Sequence, residues 1–232
     1  STVVVRMKRS DVIDASRIMA GDVIVGLASF GKASYENTEN SGIGSNGLTA
    51  ARHSLFSSVY LEKYPESVSE TIPSCKIYCG KHTVSSKLQG SSLSVGEAVL
   101  SPTRTYLPVL RKIFDTVPRN DIHGIIHCTG GGQVKCRDFG KGLIYVKDRL
   151  FERPPLFEAI YGSGEVPENE MYQIFNMGHR MELYCSRTTA EVLIASSRSL
   201  GVDARIVGHA EQNSSNGNEV IIRDRGNEFR YV

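Results

Sequence analysis

The sequence predicts an α+β domain, layered in the α/β manner, in which helices cover a mixed β-sheet. Three observations support this fold class. The chain of 232 residues is long enough to bury a sizeable core. Its 40% hydrophobic and 22% charged residues are an ordinary globular balance. Short apolar segments with strand character alternate along the chain with segments of helical periodicity, which favours a layered architecture.

Eight short segments are predicted as strands, because they are apolar or β-branched and are bounded by glycine or turn residues. They are residues 2–6, 22–27, 122–127, 142–146, 180–185, 204–210, 219–223 and 228–232. Asn216-Gly217 predicts a hairpin between the strands at 204–210 and 219–223, although this loop is longer than the favoured two residues.

The first helix follows a loop rich in Gly, Ser and Asn. Leu48, Ala51, Leu55 and Val59 recur at spacings of three and four, which predicts one amphipathic helix that ends before Pro65. The stretch at 66–94 has weak periodicity and is predicted to be a long irregular connection or insertion.

The later helices are predicted mainly from their ends. Ser101 and Pro102 are typical of an N-cap and a first helical position. Thr188 and Glu191 form a capping box, and Gly201 ends that helix. Two shorter helices are predicted at 154–161 and 167–175, the second closed by Gly178.

Charge and cysteine usage exclude several classes of protein. The 27 basic and 25 acidic residues are dispersed, which argues against a nucleic-acid partner. Five scattered cysteines do not describe a disulfide framework. No apolar run approaches the roughly 20 residues of a membrane span, and the first residues lack the order of a signal peptide. We therefore expect a cytoplasmic protein without a membrane partner, and the start at Ser1 within a strand indicates a fragment of a longer chain.

Two glycine-rich loops are candidate anion sites. Gly44-Ser45-Asn46-Gly47 lies between a strand and a helix, where free backbone amides attract phosphate. The alternative is that Ser45 or Asn46 only caps the helix. The second loop, Thr129-Gly130-Gly131-Gly132, directly follows a predicted strand.

Three successive glycines are entropically costly as a plain connector, which indicates close approach of a ligand to the backbone. Their amides can cradle a phosphate or carboxylate, with His127 as a titratable donor at the strand end. The alternative is a tight turn beside a satisfied core histidine.

Arg104 and one cysteine cluster are further candidates. In the first turn of the predicted helix, Arg104 would face the unfavourable end of the dipole, which suits a phosphate clamp; a solvated surface arginine is the alternative. Cys75, Cys79 and His82 have a passing likeness to zinc-ligand spacing, but no second cluster completes a site, so no metal is expected.

Six segments taken in order resemble one known family. They are GDVIVGLASFG, GSNGLTAARH, LSPTRTYLPVL, HGIIHCTGGG, ENEMYQIFNMG and ARIVGH. They resemble the C-terminal domain of aminoimidazole ribonucleotide (AIR) synthetase, which is phosphoribosylformylglycinamidine cyclo-ligase, from about Val12 to His209. The resemblance implies an AIR synthetase C-terminal-domain-like fold with partly ferredoxin-like topology.

The resemblance also implies an activity and partners. The family enzyme uses ATP to phosphorylate the formyl oxygen of its ribonucleotide substrate, after which a substrate nitrogen closes the imidazole ring and expels phosphate. ATP and magnesium are held mainly by an N-terminal domain, which also forms the homodimer. Residues 1–14 would then be the last strand of that missing ATP-binding domain, and residues 15–232 the C-terminal domain.

The resemblance places site residues on the candidate loops. Their positions imply substrate or phosphate contacts along an inter-domain cleft for Ser45, Asn46, Gly47, Thr129, Gly130, Gly131 and Gly132. His127 and Arg104 rank as catalytic candidates, and Asn176 as a further substrate contact, with a helix-capping role as its alternative.

The chain departs from the family at two places. Gly44 stands where the family commonly has His, and residues 133–136 replace the usual acidic and Asn-Pro-Arg residues after the glycine loop. These departures keep two alternatives open: a non-catalytic module that binds a phosphorylated metabolite or a partner, and a different ligase or kinase of the same superfamily.

Overall fold

A seven-stranded mixed sheet organises the chain, whose computed structural model describes residues 2–215 and 217–232. Its strands are β1 (Val23–Ala28), β4 (Ile122–His127), β5 (Leu143–Lys147), β6 (His179–Cys185), β7 (Ala204–Gln212), β8 (Glu219–Asp224) and β9 (Asn227–Tyr231), and a separate pair is formed by β2 (Phe30–Gly31) and β3 (Asn40–Ser41). The order across the large sheet is β4-β6-β1-β7-β5-β8-β9. The mixed sheet that the sequence predicts is thus confirmed.

Half of this sheet has the ferredoxin-like order. The neighbours β4-β6, β6-β1 and β1-β7 are all antiparallel, so β6 is inserted between the parallel strands β1 and β4. This is the split βαβ arrangement, and it confirms the partly ferredoxin-like topology. Strand β5 extends the sheet, antiparallel to β7 and parallel to β8.

Helices cover both faces of the sheet. They are α1 (Leu48–Leu55), α2 (Val59–Lys63), α3 (Val95–Val99), α4 (Leu107–Thr116), α5 (Pro155–Gly162), α6 (Glu168–Ile174) and α7 (Arg187–Arg198). Helices α4 and α7 pack on one face with Val23, Val25 and Leu27, whereas Ile24 and Ala28 point to the opposite core beneath α1, α3, α5 and α6. This period of two explains why all six residues of β1 are buried. Among the described residues, no helix has both the length and the apolar character needed to span a bilayer.

A buried ion pair links the middle of the sheet. Lys147 Nζ lies 2.5 Å from Glu182 Oε1, and both side chains are fully buried. The same carboxylate accepts hydrogen bonds from His179 Nε2 at 2.9 Å and from the Tyr184 hydroxyl at 2.6 Å. Burial alone would raise the pKa of Glu182, but the Lys147 charge and the His179 hydrogen bond outweigh it and lower that pKa to about 2. Glu182 is therefore ionised and fully partnered.

The predicted strand at 2–6 is absent from this chain. Val3, Val4 and Val5 are 81%, 90% and 69% exposed and pair with no described strand. A strand needs a neighbour for its N–H and C=O groups, and within residues 2–215 and 217–232 this segment has none.

The first predicted helix is interrupted. Helix α1 ends at Leu55, Phe56 is extended at φ −86° and ψ 147°, and α2 begins only at Val59. The cause is the segment at 66–94, because His82 donates its N–H to Leu55 O at 2.9 Å and accepts from Ser57 N at 3.0 Å. Tertiary pairing thus overrides the helical periodicity.

Two predicted helix starts are wrong. Helix α4 begins at Leu107, because Ser101 Oγ accepts instead from Ser41 N at 3.0 Å. Helix α7 is capped by Ser186, whose Oγ accepts from Thr189 N at 3.2 Å. A complete capping box does exist, but it joins Ser94, the last residue of the segment predicted to be irregular, to Glu97 at the start of α3.

Two predicted chain reversals also differ from those in the structure. Helix α6 ends at Ile174, and Gly178 lies beyond it in a separate turn. Strands β7 and β8 are not neighbours, because β5 lies between them; Asn216 itself is outside the described residues. The hairpin instead joins β8 to β9 through Arg225 and Gly226, both with positive φ as a type I′ turn requires.

We expect Glu182→Ala to lower the free energy of unfolding by about 3–5 kcal/mol, since it leaves the Lys147 charge buried without a partner. Asp203→Ala is the matched control, because the Arg198–Asp203 pair at 2.9 Å is exposed and should contribute less than about 1 kcal/mol. Urea unfolding of both variants measures the difference. Equal losses in the two variants would contradict the assigned role of the buried pair.

Candidate functional site

The structure brings the two glycine-rich loops together. Asn46 Oδ1 accepts a hydrogen bond from Gly130 N at 3.1 Å, and Asn46 Nδ2 donates to the carbonyl of Ile174. One side chain therefore fixes the loop before α1 against the loop after β4 and the end of α6. Ser45 and Gly130 are exposed beside it, and Thr129 is half-buried. These loops form the candidate site.

Neither Ser45 nor Asn46 caps α1, which contradicts the capping alternative. The N-cap is Gly47, which lies in the left-handed region at φ +75°. A Cβ there would approach Phe175 Cε1 to 2.4 Å, so only glycine fits. Gly132, at φ +52°, is equally constrained, because a Cβ would lie 2.5 Å from Tyr172 O. These glycines allow the chain to pack closely against α6, and Asn46 is left to join the loops.

Arg180 lies beneath the loops and was missed by the sequence reasoning. Its residue is 1% exposed. Its guanidinium donates to Gly42 O at 3.2 Å, to Ile43 O, and to Thr103 Oγ1 at 3.2 Å. Thr103 Oγ1 in turn accepts from Ser45 N at 3.3 Å. The available signal was a charged residue at the start of a predicted strand, all of whose residues are buried in the structure.

The Arg180 charge has no carboxylate partner among the residues that the structure describes, and its Nε atom is buried without a hydrogen bond. Burial lowers the pKa of Arg180 from its usual value. Buried charges in proteins are normally paired. An uncompensated cation beneath the two exposed loops creates a region that favours an anion.

Gly44 accommodates this arginine. A Cβ at Gly44 would lie 1.9 Å from Arg180 Nη1, and the backbone has φ +56°. The glycine that departs from the family pattern is therefore required by the position of the guanidinium.

His127 is half-buried at the end of β4, where it leads into the glycine loop. Its ring centroid is 6.4 Å from that of Tyr106 in an edge arrangement. Burial and, secondarily, the Arg180 charge lower the pKa of His127 below its ordinary 6.5. The imidazole is therefore neutral at pH 7 and able to accept a proton.

Arg104 does not lie in a helix and is not available to a ligand. It precedes α4, and its side chain is fully buried. Its Nε and Nη2 atoms donate to Glu36 at 2.8 and 2.7 Å, and its remaining N–H groups donate to the carbonyls of Ala28, Phe30 and Gly31. The prediction of a phosphate clamp in the first turn of a helix was wrong, because Arg104 lies before the helix. Its hydrogen bonds stabilise the chain after β1.

Asn176 also has a structural role. It is 2% exposed, its Oδ1 accepts from Ser29 Oγ at 2.7 Å and Gly178 N at 3.1 Å, and its Nδ2 donates to Gly42 O at 2.8 Å. The side chain therefore supports the site from below. It neither caps α6 nor reaches the exposed loop surface.

The residues after the glycine loop are structural as well. Gln133 is fully buried, and its Oε1 accepts from Lys147 Nζ at 3.2 Å while its Nε2 donates to His179 O at 2.9 Å. Cys136 is also fully buried in the core. This second departure from the family pattern thus extends the buried ion pair to the candidate loop.

The described residues contain no group of three or more His, Cys, Asp or Glu side chains placed to hold a metal. Cys75 and Cys79 are exposed free thiols. Two further cavities adjoin α1, one of about 710 Å³ between α1 and α5 and one of about 460 Å³ between α1 and α6, and the second extends to Gly47 of the loop.

Sequence comparison matches residues 19–220 to a family described as AIR synthase related protein, C-terminal domain. Phosphoribosylformylglycinamidine cyclo-ligase of Methanopyrus kandleri is 34% identical over 220 residues, which are 95% of this chain and 51% of that protein. The enzyme of the same name from Methanococcus vannielii is 32% identical over 212 residues, or 91% of this chain and 50% of that protein. The chain spans about half the length of the curated relatives it matches.

Solved structures with a similar chain path include HypE of E. coli, a hydrogenase maturation protein, at a TM-score of 0.47 and 14% identity over 94% of this chain and 51% of that one. T. maritima PurL complexed with FGAR matches at a TM-score of 0.49 and 12% identity, over 96% of this chain and 29% of that one.

We expect Gly44→Ala to destabilise the chain more than Gly130→Ala does. Both glycines have positive φ, at +56° and +60°, so alanine should cost each about 1–2 kcal/mol of backbone strain. Only Gly44 would also collide with Arg180, which adds about 1–3 kcal/mol of overpacking, whereas Gly130 has open space around it. Urea unfolding compares the two, and a larger loss in Gly130→Ala would refute the packing of Arg180 against Gly44.

Proposed function

Because the chain belongs to the AIR synthase related family as its C-terminal domain, we propose that it is the C-terminal half of an ATP-dependent cyclo-ligase of purine biosynthesis. The reaction closes the imidazole ring of formylglycinamidine ribonucleotide to give aminoimidazole ribonucleotide. The observation that carries this proposal is the uncompensated Arg180 charge beneath two joined, amide-rich loops. That arrangement suits a phosphorylated ribonucleotide and a transferring phosphoryl group.

During phosphoryl transfer, negative charge grows on the phosphoryl oxygens, where fixed hydrogen-bond donors can stabilise it. The terminal phosphoryl group of ATP passes to the formyl oxygen, ADP leaves, and the substrate's own nitrogen then attacks the same carbon and expels phosphate. Charge on the transferring phosphoryl oxygens is stabilised by donors that do not have to reorganise. In our proposal Gly131 and Gly132 supply backbone N–H groups and Thr129 a hydroxyl, while Gly130, whose N–H is donated to Asn46, lines the same surface.

The loop before α1 forms the opposite wall in this proposal. Ser45 faces the substrate, Gly47 provides the close approach to the helix start, and Asn46 holds the two walls at one separation. Arg104 and Asn176 act as positioning residues, because their polar side-chain atoms are already hydrogen-bonded inside the protein.

His127 is the proposed proton acceptor. Ring closure requires the attacking nitrogen to lose a proton, and a neutral imidazole with a lowered pKa can accept one at pH 7. Its place at the edge of the glycine loop is compatible with this role. Wild-type turnover in His127→Ala would remove it from the mechanism.

The described residues include no group of three or more His, Cys, Asp or Glu side chains placed to hold a metal. In our proposal the magnesium site, most ATP contacts and the homodimer contacts lie in an N-terminal domain, as the family resemblance implies. The exposed residues 2–6 would pair there as its last strand, within the 1–14 segment. We also place the complete enzyme in the cytoplasm.

A direct test uses the full-length gene. The intact protein should convert formylglycinamidine ribonucleotide and ATP to aminoimidazole ribonucleotide with one ADP and one phosphate released per turnover. Binding of the ribonucleotide without ring closure would instead support the non-catalytic module, which the glycine at position 44 favours. If the intact protein does not close the ring but consumes another substrate of the family, the chain belongs to a different ligase or kinase.

We expect Arg180→Gln to weaken binding of inorganic phosphate to this chain about tenfold, equivalent to about 1.4 kcal/mol, because the loops lose the buried cation that has no carboxylate partner among the described residues. The same change should raise the pKa of His127, which NMR titration measures directly. Arg198→Gln, at an exposed ion pair, is the control. Unchanged phosphate affinity and His127 pKa in a folded Arg180→Gln protein would disprove the electrostatic role.

A further inference from the structure

The segment at 66–94 forms one wall of a cavity beside the candidate site. Together with α1 and α6 it lines a volume of about 460 Å³. That volume lies in the usual range for small-molecule sites. The apolar part of its lining is formed by Ala50 of α1, Ile72 of the segment, Val166 before α6 and Ile174 at the end of α6.

One buried histidine presents a free donor to this cavity. His53 is 6% exposed and lines the cavity. Its Nδ1 accepts a hydrogen bond from Tyr78 N at 3.3 Å, so in the neutral ring the proton is on Nε2. Burial and the adjacent Arg52 lower the pKa of His53, which keeps the ring neutral at pH 7. Nε2 makes no hydrogen bond with any described residue and is not among the fully buried polar atoms that lack a partner, so it has access to the cavity or to solvent.

The backbone that sets this tautomer is strained. Tyr78 is buried and has φ +48°, a conformation that costs a non-glycine residue about 1 kcal/mol or more. Its ring packs edge-on against His53 with centroids 4.7 Å apart, and its hydroxyl accepts from Arg52 at 2.8 Å. The strained residue therefore holds the histidine in one orientation and one protonation form.

The polar groups around the cavity indicate the chemistry of a ligand. His53 offers an N–H donor at the buried end, whereas Glu165 and Glu170 offer carboxylate acceptors at the exposed rim beside Lys76. A ligand that satisfies this set has an acceptor at one edge, N–H donors at the other, and an apolar body between them. We infer that the cavity binds an amino-substituted nitrogen heterocycle of the nucleobase type, with His53 Nε2 donating to a ring nitrogen.

This inference does not depend on the ring-closing activity. The cavity reaches Gly47, next to Asn46 of the candidate site, so the heterocycle could belong to a nucleotide whose phosphate lies at the loops or could be a free base. Comparing adenine with AMP in the wild-type chain and in Asn46→Ala distinguishes these sources. Tighter binding of AMP that is lost in Asn46→Ala identifies a nucleotide, and equal binding of both ligands identifies a free base.

Calorimetric titration with adenine tests the site. The wild-type chain should bind adenine saturably, and His53→Phe, which keeps a ring against Tyr78 but removes the donor, should weaken binding at least about tenfold. His82→Phe is the matched control, because His82 belongs to the same segment but lines the other cavity. It should bind adenine as the wild type does.

A second variant covers the case in which His53→Phe fails to fold. Ile72→Trp leaves His53 untouched and fills the cavity from a half-buried wall position, so it should abolish adenine binding. Circular dichroism confirms that each variant is folded. Absence of saturable adenine binding in the wild type, or equal binding in wild type and Ile72→Trp, would overturn the inference.

Discussion

The buried Lys147–Glu182 ion pair is the interaction on which the candidate site depends. It joins β5 to β6 in the middle of the sheet, with no exposed atom in either side chain. Through Gln133 it also reaches the turn that follows the glycine loop, and Gln133 in turn donates to the carbonyls of Asn176 and His179. Because the loss of any partner would leave a buried charge uncompensated at a large cost in free energy, this network holds the loops in one position relative to the sheet.

The remaining buried cations divide into compensated and uncompensated charges. Arg104 is paired with Glu36, and Arg153 with Glu168 and Asp224. Arg180, in contrast, donates to carbonyls and a hydroxyl only, and its Nε has no partner, which leaves its charge without an opposite one among the described residues. The difference separates Arg104 and Arg153, whose charges are compensated by carboxylates, from Arg180, whose charge an anion above it would compensate.

The segment at 66–94 determines the structure of the elements that it contacts. By pairing His82 with the chain at Leu55 and Ser57 it breaks a helix that the sequence periodicity would continue. It also supplies Ile72 and Tyr78 to the surroundings of His53. An element without a clear pattern of its own therefore decides the shape of the surface beside the candidate site.

The sequence by itself determined most strands, several helices and the family, since strand and helix periodicities and loop glycines are local properties. It placed His127 and both glycine-rich loops correctly at element ends, and the ordered motifs indicated the family that the comparison confirms. Only the tertiary structure decided the strand neighbours, the broken first helix, and the roles of Arg104, Asn176 and Arg180. The physical reason is that these depend on hydrogen-bond partners distant in the sequence, such as Gly42 for Asn176 and Arg180, which no local pattern encodes.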